Sequence, residues 1–333
     1  MHIAVLGAGS WGTALAIQLA RAGNVVRLWD RNMERAAKMQ ADRENRRYLP
    51  GVLLPDSITV ASELDYCLLS CDMVVSVIPS QHTRGVLTQA LPHLNPLVPI
   101  CCASKGIERG TLMTMEEVFR EVLPRSFHAQ LSFLAGPSFA KEVALDLPTA
   151  VVVASRFSEV AEEVAQAFHA GRFRVYHTDD IVGAELGGAL KNVVAIACGV
   201  ADGLGIGLNA RAALMTRGLA EITRLAIARG ANPLTLAGLS GMGDLVLTCT
   251  GNLSRNRRVG LGLGEGKTLD TILAELGQVA EGVVTAETAR ELAQREGIDA
   301  PITEEVYQLL YKGKSAQRAL SDLLGRERKA ERG

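Results

Sequence analysis

The sequence predicts an α/β unit built on a mostly parallel sheet, followed by an all-α unit. Two observations predict this. Up to about residue 184, short apolar runs alternate with stretches of helical periodicity; beyond it, helical periodicity continues and good strand patterns stop. A chain of 333 residues, 48% of them hydrophobic, also has enough apolar material for two cores. The boundary is placed at residues 1–189 and 190–333.

In order, the expected strands are His2–Leu6, Val25–Trp29, Met73–Ile78, Leu97–Ala103, Leu131–Ala135, Thr149–Ala154 and Phe173–His177. Expected helices lie between them at Gly12–Ala22, Met33 to about Arg43, Thr111–Val122 and Ser158–Phe168. Strand–helix repeats at this spacing favour parallel strands covered on both faces. The second unit reads as helices at Arg211–Arg229, Leu269–Leu276, Val283–Glu296, Ile302–Leu310 and Ala316–Leu324. Pro233 and Pro301 stand where each would open a helix. The tail Gly325–Gly333, with four basic and two acidic residues, reads as a solvated terminus.

Composition excludes several classes. With 35 Lys and Arg against 36 Asp and Glu, the chain lacks the positive surface a general nucleic-acid binder needs. The N-terminus has no basic leader ahead of a hydrophobic stretch, which predicts no signal peptide and a cytoplasmic protein. The most apolar later segment, 189–208, contains Lys191, Asn192, Asp202 and four glycines, so it fails as a membrane span. Six cysteines make no disulfide framework or zinc quartet, although Cys67 and Cys71 are spaced to share a helix face. The six histidines have no metal-ligand spacing, so no metal is expected.

Gly7-Ala8-Gly9-Ser10-Trp11-Gly12 follows a predicted strand and opens a predicted helix, the context in which a G-x-G-x-x-G pattern has meaning. Gly7 allows the tight turn, Gly9 lets backbone approach a pyrophosphate, and Gly12 lets the helix pack on the sheet. Free amides at the helix start then face the anion. The first unit is therefore expected to be a Rossmann-like dinucleotide-binding domain, with NAD or NADP as cofactor. Asp30 stands 23 residues after Gly7, where a carboxylate can bond both ribose hydroxyls of NAD. Arg31 beside it can instead pair with the extra phosphate of NADP. The residues leave that preference open.

Other segments carry a resemblance. These are Pro79-Ser80, Ser104-Lys105-Gly106, Leu134 to Glu142, Gly187 to Val193, Gly241-Met242-Gly243-Asp244-Leu245, Cys249-Thr250, Ser254 to Arg258 and Glu281-Gly282. With the glycine loop, they make the sequence resemble the bacterial NAD(P)-dependent glycerol-3-phosphate dehydrogenase family over essentially its whole length. The resemblance implies reversible hydride transfer between NAD(P)H and dihydroxyacetone phosphate, giving sn-glycerol 3-phosphate for phospholipid synthesis. It also implies a homodimer.

Residues alone leave two readings of Lys191: a lysine snorkelling from a helix end, or one whose apolar, glycine-rich surroundings lower its pKa. The resemblance implies the second, as the family's catalytic lysine. Similarity further implies that Lys105 touches substrate and cofactor, and that Asp244 stands near the catalytic lysine. Thr248 would add a neutral hydrogen bond, and Asn192 would bond a substrate hydroxyl or orient the lysine. Ser254, Arg255 and Asn256 suit a phosphate, Arg255 through its guanidinium fork. Gly136 and Ser138 are implied at the substrate entrance. Ser10, Trp11, Arg31, Ala140, Arg255, Val279 and Glu281 are implied at the cofactor. Arg257 and Arg258 are expected to be solvated or salt-bridged.

Overall fold

The computed structural model describes residues 1–327; the last part of the basic tail lies outside them. Eight strands form one sheet: β1 (His2–Leu6), β2 (Val25–Trp29), β3 (Ile58–Ala61), β4 (Met73–Ser76), β5 (Ile100–Cys102), β6 (Leu131–Ala135), β7 (Thr149–Ala154) and β8 (Phe173–Thr178). Their order is β3-β2-β1-β4-β5-β6-β7-β8, parallel throughout except between β6 and β7. The β6–β7 connection holds only a five-residue helix, Ala140–Ala144, where parallel neighbours need a full crossover. β3 escaped the sequence reading because four residues at the sheet edge give too short an alternation. Strands β4 and β5 are shorter than expected: Val77 and Ile78 lie beyond β4, and Leu97 and Val98 form a turn ahead of β5.

Alternate residues of β1 feed opposite sides of the sheet. Ile3 and Val5 join a core with the Ser10–Arg21 helix; Ala4 and Leu6 join another with Phe119 and Phe133. Strand order reverses between β1 and β4, so a crevice opens beyond their carboxyl ends. The Cys67–Cys71 expectation needs correction, since the Leu64–Leu68 helix ends before Cys71.

A third core belongs to the helical unit, whose axis is the 23-residue helix Ile181–Gly203. The expected 189/190 boundary falls inside this helix, whose N-terminal turns also touch the sheet's core through Ile181 and Ala184. It is the one helix among the described residues long and apolar enough to cross a membrane, yet 89% of its most apolar window is buried in the protein. Two of its glycines do not break it; they let another helix lie against it. A Cβ on Gly199 would come within 2.0 Å of the Arg257 carbonyl oxygen, and one on Gly203 within 2.4 Å of that of Leu261. Helix Arg255–Gly264 therefore crosses it backbone to backbone, bringing Arg255 and Asn256 over Lys191 and Asn192.

Candidate active site

One crevice runs from the glycine loop to the centre of the 181–203 helix. Its wall includes Gly7 to Gly12, Asp30, Arg31, Arg35, Lys105, Ser138, Lys191, Asn192, Thr248, Ser254, Arg255, Asn256, Val279 and Glu281. Segments remote in sequence meet there because β1, β4 and β5 all end at it. Gly136, Ala140 and Asp244 stand outside the wall: Gly136 and Asp244 contact Lys105 from behind, and Ala140 opens the short helix after β6.

At the mouth, backbone does the recognising. Gly7 has φ +118°, a conformation that side chains disfavour, and its amide donates to the Trp29 carbonyl at 3.1 Å. A Cβ on Gly12 would lie 1.8 Å from the Gly7 carbonyl oxygen, whereas one on Gly9 would meet nothing within 4 Å. The space over Gly9 is thus open to a ligand, and the first amides of helix Ser10–Arg21 border it. These features fit a dinucleotide pyrophosphate. Ser10 donates to the Tyr48 carbonyl at 2.6 Å, tying the loop to residues around Asn45–Tyr48.

At the floor, charge takes over. Asp244, 1% exposed, begins helix Asp244–Thr250 after a wide turn at Leu239–Gly243. That turn sits on the long helix at Gly187, where a Cβ would come within 2.6 Å of the Ser240 carbonyl oxygen. Lys105 Nζ donates to Asp244 Oδ2 at 2.7 Å and to the Gly136 carbonyl at 3.1 Å. Lys191 Nζ donates to Asp244 Oδ1, and to Thr248 Oγ1 at 2.8 Å. Thr248 Oγ1 donates in turn to the Asp244 carbonyl at 2.7 Å.

One carboxylate therefore holds two ammonium groups. Burial would raise the Asp244 carboxyl, but Lys105 and Lys191 reverse that and hold it below its ordinary value. For Lys191, burial dominates over the Asp244 charge and, with Lys105 repelling, brings the ammonium down to about 8. A lysine poised there can hold or release a proton near neutral pH.

Between mouth and floor stands Arg255. Among the described residues it forms no salt bridge, and burial depresses its pKa against the opposing charge of Glu281. Glu281 is itself raised by burial, although Ser80 Oγ donates to it at 2.9 Å. The Asn192 side chain bonds Asn256 rather than Lys191: its oxygen accepts from Asn256 Nδ2 at 2.8 Å, and Asn256 in turn accepts the Gly282 amide at 3.0 Å. Ser254 caps helix Arg255–Gly264 through the Arg257 amide at 3.1 Å. Arg257 pairs with Asp202, as a salt-bridged residue should.

The family described as "NAD-dependent glycerol-3-phosphate dehydrogenase" matches in two parts, its N-terminus over residues 2–161 and its C-terminus over residues 180–321. A glycerol-3-phosphate dehydrogenase [NAD(P)+] of Anaeromyxobacter dehalogenans is 54% identical over 99% of this chain and 100% of its own length. The chain belongs to the glycerol-3-phosphate dehydrogenase family. Crystallised glycerol-3-phosphate dehydrogenase of Coxiella burnetii superposes with a TM-score of 0.94 at 42% identity, covering 98% of this chain and 99% of that one. A 2-dehydropantoate 2-reductase from Geobacter metallireducens, 17% identical with a TM-score of 0.60 over 94% of this chain and 100% of its own, shares the fold alone.

This enzyme of the glycerol-3-phosphate dehydrogenase family is thus an NAD(P)-dependent oxidoreductase acting on a CH–OH group, with a Rossmann-like N-terminal region and an all-α C-terminal one. Among the described residues, no group of three or more His, Cys, Asp and Glu is placed to hold a metal. Sequence reasoning missed Arg35, Tyr48, His82 and Gln278 on the crevice wall. For Arg35 a signal existed: it sits one turn into a helix that opens just after Asp30.

Proposed function

We propose that the enzyme interconverts dihydroxyacetone phosphate and sn-glycerol 3-phosphate, with Lys191 as the proton donor and acceptor. The carrying observation is the Lys105–Asp244–Lys191 arrangement at the floor of the crevice whose mouth is the glycine loop. The names of the relatives point to the same substrate.

Bound nicotinamide supplies the hydride to C2 in one direction and takes it in the other. In reduction, Lys191 gives its Nζ proton to the C2 oxygen as the carbonyl becomes an alkoxide; in oxidation, neutral Nζ takes the hydroxyl proton. Lys105 places a second positive charge where that oxygen becomes anionic. Asp244 fixes both lysines and leaves the floor with one net positive charge when both are protonated. Arg255, desolvated and without a salt bridge among the described residues, receives the phosphate with Ser254 and Asn256, while Ser138 lines the substrate's way in and Gly136 holds Lys105 through its carbonyl. Gly7, Gly9, Ser10, Trp11, Gly12, Arg31, Val279 and Glu281 would line the dinucleotide's course, with Ala140, at the start of the short helix after β6, beyond that lining. The two functional regions are taken as residues 1–189 and 190–333, with the long helix carrying catalysis across that boundary. The product would serve phospholipid synthesis in the cytoplasm, and the active form would be a homodimer.

Oxidation of NADH and of NADPH is followed by the loss of their absorbance with dihydroxyacetone phosphate, and with unphosphorylated dihydroxyacetone as control. Turnover restricted to the phosphorylated ketone is expected. Equal turnover of both ketones would remove Arg255 from its role, and turnover of neither, by folded protein that binds dinucleotide, would overturn the substrate.

A further inference from the structure

The residue expected to read the ribose hydroxyls of NAD is not free to do so. Asp30 is 2% exposed at the end of β2. Its Oδ1 accepts the Asn32 amide at 2.9 Å and the Arg35 Nη2, and its Oδ2 accepts Arg35 Nε at 2.5 Å. A carboxylate offers about four lone-pair sites, so three are spent on the protein and burial shields the remainder. Only the Arg35 end of this pair is appreciably solvent-accessible, its side chain being 25% exposed against 2% for Asp30.

Its surroundings are cationic. The Arg35 guanidinium lies 5.5 Å from the centroid of the Tyr48 ring, and the Arg47 guanidinium 5.3 Å from the same centroid. Arg31 is exposed on the crevice wall and forms no salt bridge among the described residues. Arg31 and Arg35 thus share the crevice wall with one internally paired carboxylate, at the place where a Rossmann-like fold puts the adenosine ribose. Such a surface suits a phosphate dianion through guanidinium donors, while the carboxylate that could accept from the diol of NAD is already engaged by Arg35 and the Asn32 amide.

We propose that Arg35, held in place by Asp30, makes this end of the crevice a reader of the 2′-phosphate, so that the enzyme prefers NADP(H) to NAD(H). Asp30 is then a positioning residue, and Arg31 and Arg35 make the phosphate contacts. The inference rests on the crevice mouth being the dinucleotide site.

Isothermal titration of NADP⁺ and of NAD⁺ into the protein, without the second substrate, tests it apart from any turnover. Wild type is expected to bind NADP⁺ tighter by about tenfold or more, as charge-assisted contacts allow. Arg31→Ala, on the surface, lowers NADP⁺ affinity more than NAD⁺ affinity. Arg35→Ala lowers NADP⁺ affinity and, by freeing the Asp30 carboxylate, raises that for NAD⁺; Arg35→Lys falls between. Asp30→Asn loosens Arg35 and weakens NADP⁺ only. Wild type binding NAD⁺ as tightly as NADP⁺, or Asp30→Asn weakening NAD⁺ more than NADP⁺, would overturn the proposal. Failure of both dinucleotides to bind folded protein would overturn the site and the preference together, whereas failure to turn over dihydroxyacetone phosphate leaves these titrations as they stand.

Discussion

At the mouth of the crevice a ligand meets backbone, and at its floor it meets charged side chains. The mouth is made by six consecutive residues, Gly7 to Gly12, and its chemistry consists of space and free amides. The floor is made by Lys105, Gly136, Lys191, Asp244 and Thr248, drawn from four separate stretches of chain and joined by hydrogen bonds within one desolvated cluster. Substitution at the mouth should therefore act through shape, and substitution at the floor through protonation and charge. The two kinds of damage are separable.

The largest effect is expected at the floor. Lys191→Ala should lower turnover by roughly 10²–10⁴-fold, the range for loss of a general acid–base group, while dinucleotide affinity measured by titration stays unchanged. Weakened dinucleotide binding of the same size would mean that floor and mouth are not separable.

Next come two glycines that look alike in the motif and differ in their neighbours. Gly9→Ala places its Cβ in open space, so the melting temperature should hold while dinucleotide affinity falls by about tenfold or more where backbone must approach a pyrophosphate. Gly12→Ala drives a Cβ against the Gly7 carbonyl, within 1.8 Å. It should destabilise the fold by about 1–3 kcal/mol or more, visible as a lower denaturation midpoint even without cofactor. Equal loss of stability in both variants would erase the distinction.

The smallest effect lies outside the crevice. Glu185, on the long helix, accepts the Glu116 amide at 2.9 Å, and burial pushes its carboxyl up to about 8. The folded state then keeps a proton that the unfolded chain releases near 4.5, so stability should decline as pH rises from about 4.5 towards 8. Glu185→Gln should flatten that decline and raise the melting temperature at pH 8 by about a few degrees. Thermal melts of both proteins across this range would show it; parallel curves would contradict it.

The same contrast explains what the sequence could tell. The mouth was legible because its signal is contiguous and local, with glycines in fixed order between a strand and a helix. Strands such as Val25–Trp29 and Thr149–Ala154 were legible as short runs rich in apolar residues. The floor was legible only through resemblance, since nothing in the residues around Lys105 or Asp244 says that they meet. Residue-level reasoning also could not show that Asp30 is satisfied by Arg35, because a carboxylate at that position reads alike whether it faces a ribose or the next helix. The glycines of 199–207 read as helix breakers, yet Gly199 and Gly203 lie within a helix whose backbone another helix touches. Close approach of two backbones is a tertiary fact that composition cannot distinguish from a loop.

The most direct test of the floor as the seat of proton transfer is the pH dependence of turnover in both directions, with saturating substrates. Burial lowers the Lys191 ammonium to about 8. Ketone reduction, which needs the protonated amine, should be level below that pH and fall above it. Alcohol oxidation, which needs the neutral amine, should rise through the same range, and both transitions should vanish in Lys191→Met. Transitions of the same sign in the two directions, or their survival in Lys191→Met, would contradict Lys191 as the proton carrier.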